Sequence, residues 1–350
     1  MATASPVKPA PEAIWYSHCG YSPLAMAVQL GWIYDELVGD GIALRSVKRD
    51  AGPEGQLSHY DHHLPYSLRQ GGNVPALWAR SRGAETRLLG VNWLDEYQAV
   101  IALPGSGIRT ARDLAGRKLG LPGANHPVDH IRAANLRGFA VALALEGLDV
   151  DRDVELVDLS ERRADFGGTG AEEGARPFRS RSLAADALVE GRVDAIFARG
   201  PQGVALTDAL GAIVVAEISE HPDPLVRANN GSPRPLTIDS RFLEEQPRLV
   251  ERLLRRIVAV GRWAEQNAGE AARLIARQGG VSEDVVHRAY RHNLHRRLHT
   301  TLDDTALEGL GAYKDFLVAR GFLPADFSIA AWTSPAPLAA VLSSPLRLIA

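Results

Sequence analysis

Ala13-Ile-Trp-Tyr-Ser-His18 reads as a strand, Pro23-Leu-Ala-Met-Ala-Val-Gln-Leu-Gly-Trp-Ile-Tyr34 carries the apolar period of a helix, and Ile42-Ala-Leu-Arg-Ser-Val47 returns to strand. This βαβ opening decides the fold class, because a strand joined to the next through a helix builds a parallel sheet. Working outward, further strands are expected at Thr86–Trp93, Gln98–Leu103, Lys118–Leu121, Asp153–Leu159, Val193–Ala198 and Ala212–Ile218. Helical stretches such as Arg132–Glu146 and Leu183–Glu190 separate them, so the pattern is α/β and doubly wound.

After about residue 240 the strand signal stops, and Arg248–Ala268, Glu270–Arg277, Asp284–His295 and Asp303–Ala319 read as amphipathic helices. The last stretch, from Ala331, is expected to drape over the surface as short helix and coil. Residues 161–181 are rich in glycine and charge with no apolar period, which reads as a lid-like loop. The chain of 350 residues has room for two domains. Its 39 basic and 42 acidic residues leave a net charge of -3, so no basic field exists to hold nucleic acid or an anionic membrane. The longest apolar run, Phe139 to Leu145, is far short of the roughly 20 residues a membrane span needs. Residues 1–12 read as a flexible, proline-bearing tail without an apolar signal core, and the lone Cys19 excludes an internal disulfide. The expectation is a cytoplasmic protein.

Cys19 follows the first strand, at the end of an α/β sheet where ligands bind. An isolated cysteine is more often a small buried hydrophobe, but the polar Ser17 and His18 beside it argue against a pure core position. His59 opens the cluster His59-Tyr-Asp-His-His63, whose spacing fits no standard zinc set, so no metal is expected and His62 and His63 read as bystanders. Arg69 offers a planar donor fork for a two-oxygen anion, and Gly71-Gly72 would let backbone N–H groups come close to it. His292, His295 and His299 share one face if their segment is a continuous helix; a polar face packed on the first domain explains them better than a metal site or RNA.

Two stretches resemble a known superfamily. Arg112-Asp-Leu-Ala-Gly-Arg-Lys-Leu-Gly120 and Gly191-Arg-Val-Asp-Ala195 are similar to segments of the nitrate/taurine/sulfonate branch of periplasmic-type binding proteins. That likeness implies two α/β domains facing a cleft, joined by crossings near 101–105 and 215–237. It divides the chain into domain I, 13–103 plus 216–350 with the C-terminal helices, and domain II, 104–215.

Within it, Tyr16-Ser17-His18-Cys19, then His59, then Arg69-Gln-Gly-Gly72 resemble the 2'-hydroxybiphenyl-2-sulfinate desulfinase family, which acts at the end of dibenzothiophene desulfurization. Asp153-Val-Glu-Leu-Val157 and Gly261-Arg-Trp-Ala264 extend the likeness. The resemblance implies a cofactor-free hydrolase acting on a carbon–sulfur bond, with Cys19 as catalytic thiol, His59 orienting it and Arg69 holding the sulfinate. Ser17, Tyr60, Gly71, Gly72 and Leu136 would line the substrate. The implied partner is a small aryl sulfinate, with no nucleic acid and no membrane, and the implied state is a monomer. Leu136 stands where the family has an aromatic residue, and Gly20 where it has proline after the cysteine. The competing reading is a non-catalytic binding protein for a sulfonate, nitrate or similar anion; a thiamine-precursor synthesis enzyme of the same fold lacks support from any cysteine-rich motif.

Overall fold

The computed structural model describes residues 9–18, 21–123, 126–159 and 183–344. Cys19, Gly20 and the expected lid 161–181 lie outside the described residues. Strands in chain order are β1 (Ala13–His18), β2 (Ala43–Ser46), β3 (Ser67–Gln70), β4 (Thr86–Asn92), β5 (Gln98–Ala102), β6 (Lys118–Leu121), β7 (Glu155–Asp158), β8 (Ala195–Arg199), β9 (Ile213–Glu217) and β10 (Arg234–Asp239). They form two five-stranded sheets, ordered β2-β1-β3-β10-β4 and β7-β6-β8-β5-β9.

Both sheets follow one plan. β1 is parallel to β2 and β3, and β6 is parallel to β7 and β8. The fourth position is antiparallel in each: β10 runs against β3 and β4, and β5 against β8 and β9. Each antiparallel strand is delivered by the chain as it crosses from the other sheet. The crossings therefore fall at 93–97 and 218–233. Gln98–Ala102, which the expected division leaves with the first unit, pairs along its whole length with β8 and belongs to the second sheet.

The first sheet is covered by the helix Pro247–Gln266, whose apolar stripe buries Leu249, Leu253, Leu254, Ile257 and Val260. Their cluster joins Ile14 and Leu236 of the first sheet, and Leu24 of the helix Pro23–Gln29, to Ala99, Ile101 and Ile196 of the second. Each fully buried side chain of this size contributes about 1.5–3 kcal/mol, so the shared cluster holds the two units against each other.

Two expectations about the C-terminal third change. The helix read at Asp284–His295 ends at Ala289, because Arg291 and His292 take left-handed backbone (φ 53° and 55°). The histidines therefore do not share a face: the His287 and His292 rings stack 5.3 Å apart, and His299 Nε2 lies 3.0 Å from Glu265 Oε1. The terminal stretch also enters the core, since Trp332 is fully buried and donates its indole N–H to Thr86 Oγ1 at 3.0 Å. No helix among the described residues is long and apolar enough to cross a membrane.

Candidate active site

β1 and β3 are parallel neighbours, with Ser17 in register with Arg69 and His18 with Gln70, so these residues share the carboxyl edge of the first sheet. Cys19 comes next in the chain after β1 and lies outside the described residues. Ser17 is buried, and its Oγ lies 2.6 Å from His59 Nδ1. His59 arrives on the short helix Ser58–Asp61. Burial, and after it the cations of Lys48 and Arg69, hold its imidazole well below the ordinary histidine value. At neutral pH the ring is therefore uncharged, with one donor and one acceptor nitrogen.

Arg69 sits in the centre of this edge with 1% of its surface exposed. Its Nε donates to His59 O at 2.9 Å and its Nη2 to Gly72 O at 3.0 Å. One guanidinium thereby fixes both the loop that carries His59 and the turn that opens the helix Asn73–Ser81. Taking an arginine out of water costs several kcal/mol before its hydrogen bonds offset it, and such a cost is common at functional sites. Gln70, also fully buried, accepts from Leu24 N at 2.8 Å and donates to Asn92 Oδ1 at 3.2 Å.

Gly71 and Gly72 are both buried. At Gly72 a Cβ would come 2.5 Å from Asn230 Oδ1, so packing by itself calls for glycine there. The close neighbour is the protein's own carboxamide. Tyr60 packs edge-on against His59 at 4.9 Å and stacks on His126 at 5.4 Å, and His126 stacks on His130 at 5.2 Å. His126 and His130 follow β6, so the ring ladder runs from the first unit into the second. Leu136, expected beside the substrate, packs in the second unit's apolar cluster with Phe139 and Phe197.

The histidines of 59–63 diverge, each onto partners of its own. His62, read as a bystander, is a buried structural residue: its Nε2 lies 3.4 Å from Ser67 O and its Nδ1 3.5 Å from Thr237 Oγ1. Burial lowers its pKa to about 4. His63 is exposed and pairs with Asp61 at 2.6 Å. Among the described residues no three His, Cys, Asp or Glu side chains are grouped to hold a metal ion.

Sequence reasoning missed Gln70, His126, His130 and Asn230. The His126-Pro-Val-Asp-His130 spacing at a helix start was a readable signal for the ring pair. Nothing local marks Asn230, whose side chain meets Gly72 and Val74 more than a hundred residues away.

Two α/β units with crossed strands and a polar, buried carboxyl edge define a periplasmic-binding-protein-like fold. The alkanesulfonate-binding protein SsuA from Xanthomonas axonopodis pv. citri, bound to MOPS, shares it at TM-score 0.62 and 19% identity, over 93% of this chain and 99% of that one. Within the class, the chain is similar to the 2'-hydroxybiphenyl-2-sulfinate desulfinases. It is 29% identical over 312 residues to the enzyme of Rhodococcus erythropolis, covering 81% of this chain and 83% of the relative. It also superposes at TM-score 0.77 and 26% identity on a cysteine-to-serine mutant of the desulfinase DSZB in complex with biphenyl-2-sulfinic acid, over 95% of this chain and 99% of that one. No family model matches the chain.

Proposed function

We propose that this chain is a cofactor-free desulfinase that cleaves the carbon–sulfur bond of an aromatic sulfinate, 2'-hydroxybiphenyl-2-sulfinate or a close analogue, and releases sulfite. The observation that carries the reading is the superposition, over 95% of the chain, on a desulfinase holding biphenyl-2-sulfinic acid. Buried Arg69 and the Ser17–His59 pair, both at the edge where the chain reaches Cys19, support it. An enzyme acting on its substrate with water in this way is a hydrolase, and we place it in the cytoplasm as a monomer.

In the mechanism we favour, Arg69 holds the sulfinate oxygens and the Cys19 thiol protonates the ring carbon that bears sulfur. The carbon–sulfur electron pair stays on carbon to form the new C–H bond, and sulfur leaves as sulfur dioxide. Water adds to it, giving bisulfite, and the proton released restores the thiol. The other route has the Cys19 thiolate attack sulfur, the ring depart with the bonding pair and take a proton, and water free sulfite from the sulfur-bound cysteine. In both, His59 is neutral and acts as a hydrogen-bonding group that holds Ser17 and, on this proposal, orients the Cys19 thiol, not as a second cation.

The test is sulfite release from biphenyl-2-sulfinate by the purified chain. We expect sulfite and arene in equal amounts; tight binding of the sulfinate without sulfite would instead favour the anion-binding reading. The pH profile separates the two routes. A thiol proton donor makes kcat/KM fall as pH rises through the thiol pKa, whose unperturbed value is about 8.5, whereas a thiolate nucleophile makes it climb.

A further inference from the structure

We infer that Asn230, in the second crossing, is a positioning residue that holds the Gly72–Val74 turn in place for anion binding, an inference that rests on the desulfinase reading of the site. The helix Asn73–Ser81 opens at Gly72, which has no side chain to cap the first amides. Asn230 supplies that cap from elsewhere in the chain, its Oδ1 accepting from Val74 N at 3.3 Å. The same oxygen lies where a Cβ on residue 72 would have to go. Gly72 is therefore glycine to admit Asn230, and Asn230 in turn fixes the height of the carbonyl that receives Arg69.

The backbone that carries the carboxamide is itself held. Asn230 is buried, its backbone N–H donates to Asn229 Oδ1 at 2.7 Å, and its carbonyl accepts from Arg199 Nη1 at 2.6 Å. Asn73 Nδ2 grips the same crossing by donating to Asn229 O at 2.9 Å and Pro233 O at 3.1 Å. Arg199 ends β8 of the second sheet and also pairs with Glu96 of the first crossing at 2.9 Å. A chain of polar contacts thus runs from the second unit, through Asn230, to the turn beside Arg69. The seating of the second unit reaches the sulfinate through this residue.

The experiment compares the wild type, Asn230→Ala, Gly72→Ala and the double variant in sulfite release from biphenyl-2-sulfinate. Losing a cap of this kind should raise KM about tenfold in Asn230→Ala while kcat changes less than about threefold. A change confined to folding would lower the active fraction and leave KM alone. Gly72→Ala forces the new methyl into the Asn230 carboxamide and should lose most activity. The double variant removes that obstacle and should exceed Gly72→Ala in kcat/KM by about tenfold, a non-additivity expected of groups in contact. If Asn230→Ala does not fold, Gly72→Ala with Asn230→Ser takes its place in the rescue. An unchanged KM in Asn230→Ala, or a double variant no better than Gly72→Ala, overturns the inference and leaves the function standing. A wild type that neither binds nor cleaves the sulfinate overturns the desulfinase reading and this inference with it.

Discussion

At the carboxyl edge of the first sheet the parallel strands end on Ser17-His18, Arg69-Gln70 and Asn92; the equivalent strands of the second end on Gly120-Leu121, Ala198-Arg199 and Glu217. In the first, Ser17, Arg69, Gln70 and Asn92 are all buried, and their hydrogen bonds run to one another's loops. In the second, Arg199 and Glu217 stay partly exposed and form ion pairs, Arg199 with Glu96 and Glu217 with Arg291. The interior of the second sheet is apolar, built on Val100, Ala102, Leu119 and Phe197. One strand plan has thus yielded two edges. The first carries a buried cation with a neutral histidine beside it, and the second supplies cover and grip. Because topology is shared, the difference lies in the side chains alone, as expected when a site is grafted on a common fold.

If the chemistry sits on the first edge, Cys19→Ser should lower sulfite release by about 10³-fold, within the usual worth of a general acid or nucleophile, while the variant still binds biphenyl-2-sulfinate. Turnover near the wild-type rate would make the thiol structural. Arg69→Lys comes next: a point charge cannot make the fork's paired contacts, so KM should rise and kcat fall, together costing about 10²-fold in kcat/KM. Unchanged kinetics would remove Arg69 from the site.

The same edge should mark stability. His62 is buried neutral, with a pKa lowered to about 4 against about 6.5 when unfolded. Its contribution is complete above pH 6.5 and is lost as pH falls toward 4, because the unfolded chain takes the proton first; the full span is about 3 kcal/mol. Urea midpoints measured from pH 7 to pH 4 should therefore drop, and His62→Gln should flatten that slope. An equal slope in the variant would assign the acid sensitivity to other groups. The smallest effect belongs to the second sheet, where Ile196→Val should cost about 1 kcal/mol of stability and leave kcat/KM unaltered. A marked loss of turnover there would break the division of labour between the sheets.

The central strands of the second sheet were legible because their interiors are apolar; Gln98-Ala-Val-Ile-Ala102 and Ala195-Ile-Phe-Ala-Arg199 each hold four apolar residues in a row, as a buried strand does. β3 and β10 were not read. Ser67-Leu-Arg-Gln70 is polar at three of four positions yet buried at all four, and Arg234-Pro-Leu-Thr-Ile-Asp239 carries a proline and an arginine. Local pattern failed at the strand that holds Arg69, since a functional side chain there displaced the apolar residue a strand would otherwise place. His62 was misjudged for a related reason: its partners are Ser67 and Thr237, and Thr237 belongs to a strand 175 residues further along the chain. The broken helix at Arg291 left no glycine or proline to announce it, so a continuous period concealed two left-handed residues.

The central claim is that the sulfinate binds and reacts at the first sheet's edge. The most direct measurement is a crystal structure of the Cys19→Ser variant with biphenyl-2-sulfinate bound. We predict the sulfinate oxygens within hydrogen-bonding distance of the Arg69 guanidinium and the Gly72 turn, with the ring against Tyr60. A sulfinate seated instead on Arg199 or another residue of the second unit, with Arg69 untouched, would contradict the account.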